Sequence, residues 1–155
     1  MSSIKWCKKQ TKGISLTEPN INLCDDYYQS AEESMKVLRA TYQTGSRMWL
    51  ATTKYYVEYL AAYSLLMRLG IKCEIHDCTI AILHFLEQNK ILPQGLAAQV
   101  EEDKQLRIDN QYYLKNLPVK IDFNTLTNFL LRIRERTNSL TDEEISTIQQ
   151  KISQS

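Results

Sequence analysis

Seven residues punctuate this chain: Gly13, Pro19, Gly45, Gly70, Pro93, Gly95 and Pro118. All of them fall where a helical pattern begins or ends, and the long stretches between them contain no breaker. Glycine and proline are the strongest local interruptions of regular structure, so each uninterrupted stretch is free to form one element. Within these stretches apolar residues recur at the 3, 4, 7 spacing of a helix face instead of alternating, which makes the elements helices.

The first long helix is predicted from about Asn22 to Thr44, with Cys24, Tyr27, Tyr28, Ala31, Met35, Leu38 and Tyr42 on one face. Gly45 supplies its left-handed C-cap. Ser46 is the N-cap of the second, which runs to Leu69 and ends at Gly70. Two apolar seams lie side by side on it and its charges are confined mainly to Arg47, Lys54 and Glu58, the pattern of a helix surrounded by others. A third is expected from Asp77 or Cys78 to Asn89, and a fourth from about Gln94 to Asn116, where Pro118 stops it. Asp103, Arg107 and Asn110 interrupt the apolar stripe of the fourth. A fifth starts after Asp122 as N-cap. The sixth opens with the capping box Thr141 to Glu144 and carries Ile145, Ile148 and Ile152. No run of four or more residues alternates with period two, and no repeat is visible. The expected fold is all-α: an antiparallel up-and-down helical bundle of four long helices plus one or two short ones. It forms one domain over 1–155, with a basic arm over 1–20 and a short helix over 141–155.

A chain of 155 residues buries roughly 68–70% of its unfolded surface and can hold a core without staples. Its net charge of +1 conceals an asymmetry, because Lys5, Lys8, Lys9 and Lys12 precede the first acid. The arm reads either as a loose terminus or as a phosphate-contacting segment, in which Lys8 and Lys9 meet a nucleic-acid backbone and Trp6 stacks on a base. No stretch approaches the 18 apolar residues of a membrane span. The start lacks the apolar core of a signal peptide, and the cysteines at 7, 24, 73 and 78 form no CxxC pair. Reduced thiols and a cytoplasmic location are therefore expected.

Phosphate-loop, dinucleotide-binding and nucleophile-elbow motifs are absent, and four glycines leave nowhere to hide one. Only two histidines exist, His76 and His84. Cys73, His76 and Cys78 lie close together, but no fourth ligand stands at zinc-site spacing, so neither a metal nor a cofactor is expected. The tyrosines between Tyr42 and Tyr63 sit at helical spacing and read as core residues whose hydroxyls reach outward. Arg132, Arg134 and Arg136 read as a solvated face.

The run KYYVEYLAAYSLLMRLGIKCEIHD, from Lys54 to Asp77, resembles the signature of HEPN-domain proteins: a paired-aromatic helix rich in Ala and Leu, a terminal Gly, then a His after a short loop. The opening WCKKQTKGISLTEPNINL and the stretch RIDNQYY are similar to small prokaryotic members, so that the resemblance covers about residues 4 to 138. It implies a helical bundle, usually a homodimer, that works beside a small nucleotidyltransferase or cleaves RNA in toxin systems. Ribonuclease members carry an Arg and a His in one cleft, which places Arg68 and His76 as the candidate catalytic pair. Seven residues separate them, a wider interval than those members have. The leading expectation is accordingly a non-catalytic module that binds a nucleotide or a partner protein, with Lys8, Lys9, Arg107 and Tyr112 as candidate contacts for nucleotide or nucleic acid. The alternatives are a metal-independent endoribonuclease using Arg68 and His76, and a purely structural interaction protein. In the non-catalytic case His76 is expected to cap the third helix.

Overall fold

The computed structural model describes residues 2–155. The described residues form seven helices and one pair of two-residue strands, an all-α bundle: α1 Ile4–Lys8, β1 Ser15–Leu16, α2 Ile21–Tyr42, α3 Arg47–Leu69, β2 Ile71–Lys72, α4 His76–Gln88, α5 Leu96–Gln111, α6 Phe123–Ser139 and α7 Asp142–Gln154. Most boundaries follow local chemistry. Asn20, Ser46 and Asp122 accept backbone N–H groups at the starts of α2, α3 and α6, and Thr141 with Glu144 completes a capping box on α7.

Helix α3 is the centre of the bundle, packed by α2, α5 and α6, with 15 of its 23 residues buried. Tyr55, Val57, Ala61, Ala62, Leu65, Leu66 and Leu69 are inaccessible to solvent. Small Ala61 and Ala62 let neighbouring helices approach closely, and the Leu side chains fill the space between layers. Gly70 ends the helix at φ 70°. A Cβ there would stand 2.3 Å from the carbonyl oxygen of Thr17, so both the backbone angle and the packing exclude a side chain. Ser15 pairs antiparallel with Lys72 and Leu16 with Ile71, which ties the N-terminal segment to the turn after α3.

Three expectations need correction. The arm is not loose, and two of its four lysines are engaged, while Lys5 and Lys9 are exposed. Lys8 Nζ lies 2.8–3.0 Å from the carbonyl oxygens of Ile152, Ser153 and Ser155, neutralising the C-terminus of α7, and Lys12 pairs with Glu74 at 3.3 Å. Cys7 and Cys78 are joined in a disulfide that fastens α1 to α4, so these two thiols are not reduced; Cys24 and Cys73 are free and buried. Spacing gave no hint of the bridge because its partners lie 71 residues apart and meet only through folding. The reduced-thiol support for a cytoplasmic location falls with it. Among the described residues, no helix is long and apolar enough to cross a membrane. Finally, α5 stops at Gln111, before Asn116. Asn110 holds Leu117 through two hydrogen bonds of 2.8 and 3.0 Å, and Leu114 and Asn116 adopt positive φ, which closes the helix early.

Candidate functional site

The site is assembled on one face of α3. Tyr55, Tyr59 and Tyr63 stand at i, i+4 and i+8, and beyond Gly70 the chain doubles back along them. The Cys73 backbone N–H donates to the Tyr63 hydroxyl at 3.2 Å. Three residues later the His76 ring stacks on Tyr59, with centroids 4.2 Å apart and planes 14° from parallel. Nδ1 of His76 lies 2.8 Å from the Tyr55 hydroxyl. His76 therefore opens α4 without capping it: the N-cap is Ile75, and no side chain bonds the first turn. Asp77 in that first turn pairs with Lys104 of α5 at 2.6 Å.

The proton on this pair can be assigned. Tyr55 is inaccessible to solvent, and burial, with Tyr59 beside it, pushes its phenol far above the ordinary range. The phenol stays protonated, its only hydrogen-bond partner among the described residues is His76, and a buried O–H left unspent costs more than an unmet acceptor. Tyr55 thus donates and Nδ1 accepts. Burial first, then the positive charges of Arg107 and Lys104, hold the imidazole below its usual value, while Asp77 opposes them. The resting ring is neutral with its hydrogen on Nε2, which has no partner among the described residues. It presents a donor, not a base, to anything that approaches.

Arg107 completes the arrangement. It is 9% exposed, and no carboxylate lies within ion-pair distance of it among the described residues. Nε donates to Gln111 at 2.9 Å and one terminal nitrogen to the Tyr112 hydroxyl at 3.1 Å. The guanidinium lies 5.1–5.7 Å from the ring centres of Tyr55, Tyr56 and Tyr112. Cation–π contact contributes about 0.5–2 kcal/mol, which offsets only part of the desolvation of an unpaired charge. Arg107 is thus a buried cation without a counter-ion among the described residues, bordered by Tyr112 at 62% exposure.

The structure brings together His76, Arg107 and Tyr112, which the sequence could name only as separate candidates. It does not bring Arg68 to them. Arg68 donates to the Leu140 carbonyl at 3.1 Å, and it stands 13 residues along α3 from Tyr55, about 20 Å at the helical rise. Lys8 is committed to α7, and Lys9 is exposed on the arm beside it. Cys78 is spent in the disulfide and Cys73 donates to the Ile75 carbonyl, so the Cys–His–Cys trio does not assemble. Tyr55, Tyr56 and Tyr59, read as core, are also the walls of the site. The available signal was polar Arg107 in the apolar stripe of α5, with no acid three or four residues away on the same face except Asp103, which Lys54 occupies. Compared with known protein families, curated proteins and solved structures, the chain matches none, so the reading of this site rests on its own geometry.

Proposed function

We propose that the protein is a non-catalytic, HEPN-like helical module that binds a nucleotide at the His76–Arg107–Tyr112 cluster. The observation that carries this reading is Arg107, nine-tenths buried and without a counter-ion between tyrosine rings. A nucleotide offers complementary chemistry: phosphate oxygens for the guanidinium and for the Nε2–H of His76, and a base for the exposed face of Tyr112. The resemblance of Lys54 to Asp77 to HEPN proteins points the same way, and it suggests a homodimer and a small nucleotidyltransferase as partner. Exposed Trp49 and Tyr42, at 53% and 52%, supply apolar surface for such assembly. The endoribonuclease alternative has less support, because Arg68 lies away from His76 and the resting imidazole carries its hydrogen on the outward nitrogen.

Calorimetric titration with ATP and with a short single-stranded RNA tests the reading. Binding is expected in the wild type, reduced at least tenfold in Arg107→Gln and in Tyr112→Ala, and unchanged in Arg68→Gln. No heat at millimolar nucleotide, or equal loss in Arg68→Gln, would overturn it. Metal-independent RNA cleavage lost in His76→Ala would show the alternative to be right.

A further inference from the structure

Two carboxyl groups meet in the interior where α5 crosses α3. Glu58 is 0% exposed and Asp103 is 6% exposed. Glu58 Oε2 accepts a hydrogen bond from Gln99 Nε2, and Asp103 Oδ1 accepts from Lys54 Nζ at 2.9 Å. The second oxygen of each, Glu58 Oε1 and Asp103 Oδ2, is buried and has no partner; Lys54 and Glu58 are one turn apart on α3, Gln99 and Asp103 one turn apart on α5, and the two crossed bonds set the carboxyl groups side by side. The charged group facing the pair is Lys54 from α3, with Arg107 one turn beyond Asp103 on α5. Beyond them Glu102, Lys120 and Asp122 line a 370 Å³ cleft between α5 and α6 that also reaches Lys54 and Asp103.

We infer that Glu58 is a carboxylic acid in the folded protein, that its Oε1–H donates to Asp103 Oδ2, and that this one buried proton keeps α5 seated on α3. A single proton answers both unpartnered oxygens, turning one acceptor into a donor aimed at the other. It also balances charge. Lys54 and Asp103 cancel, so a neutral Glu58 leaves the cluster without net charge, whereas an ionised Glu58 would bury two carboxylates against one ammonium. Burial, with Asp103 as the next contributor, holds the Glu58 carboxyl well above its ordinary range. The folded state therefore binds a proton that the unfolded chain has released at neutral pH, and stability falls as pH rises through the folded-state value.

The position of the pair gives the proton a second consequence, which rests on the proposed ligand site. Asp103 and Arg107 are one turn apart on α5. Ionisation of Glu58 loosens the helix that delivers Arg107 and Tyr112 to His76, so ligand affinity is expected to fall on the alkaline side.

Infrared difference spectroscopy of the wild type against Glu58→Gln, paired with melting curves from pH 6 to pH 9, tests the inference. The amide introduced by Glu58→Gln can keep both bonds, accepting from Gln99 through its carbonyl and donating to Asp103 through its nitrogen. At pH 7 the wild type should show a protonated-carboxyl band that Glu58→Gln lacks, and its melting temperature should drop on the order of 5 °C by pH 9 relative to that variant. Absence of the band, or parallel melting profiles, overturns the inference. The spectroscopic arm needs only the wild type and an isotope-edited glutamate label if Glu58→Gln fails to fold. If nucleotide binding is absent at every pH while the band is present, the proposed ligand is wrong and the proton pair stands.

Discussion

The hydroxyl of Tyr55 and Nδ1 of His76, 2.8 Å apart, join the buried centre of α3 to the first residue of α4. Because the phenol keeps its proton, it sets the tautomer of the imidazole and leaves the ring hydrogen on Nε2. Replacing Tyr55 with Phe removes the donor and nothing else of comparable size. The expected cost is about 0.5–1.5 kcal/mol in chemical denaturation. The ¹⁵N shifts of His76 should move from one tautomer toward a mixture; an unchanged tautomer would refute the assignment.

His76 also gives a pH dependence with a definite sign. Its folded-state value is depressed below 6.5 by burial and by Arg107 and Lys104. The unfolded chain takes up a proton first on acidification, so the contribution of His76 to stability is full above about pH 6.5 and is lost as pH falls toward the folded-state value. A histidine-resolved NMR titration should place the His76 midpoint below 6.5. A midpoint above that value would contradict the electrostatic account.

Reduction of the Cys7–Cys78 bridge should release α1. The bond closes a loop of 71 residues in the unfolded chain, and loss of such a crosslink costs about 2–5 kcal/mol. Cys7→Ala with Cys78→Ala should therefore melt lower and be cleaved faster in the arm by trypsin at Lys9 or Lys12. Identical stability with and without a reductant would argue against the bridge in solution.

Leu66→Ala empties part of the innermost layer and should cost about 2–5 kcal/mol. Gly70→Ala acts by a different route. It adds a Cβ 2.3 Å from the Thr17 carbonyl at a backbone angle that side chains disfavour, and it should cost at least about 2 kcal/mol. Wild-type stability for Gly70→Ala would mean that the β1–β2 pairing can shift to make room.

Local chemistry determined where most helices lie. Gly70, Ser46, Asp122 and the Thr141 capping box act within a few residues of themselves, and the apolar periodicity of 46–69 already marked the central helix, whereas α2 ends at Tyr42 with Gln43 as its C-cap, ahead of the expected Gly45. What the sequence could not express was who meets whom. Tyr55 and His76 are 21 positions apart, Arg107 is 31 beyond His76, and Cys7 finds Cys78 across 71. Each residue looks ordinary alone: a core tyrosine, a helix-end histidine, a polar break in a stripe, a terminal thiol. The Arg68–His76 pairing drew on nearness along the chain, yet the loop after Gly70 runs back along α3 and carries His76 to Tyr55 and Tyr59, while Arg68 stays at the opposite end beside Leu140. Helix placement depends on interactions a few residues in range; the site depends on desolvation and charge summed over α3, α4 and α5, and only their packing decides that sum.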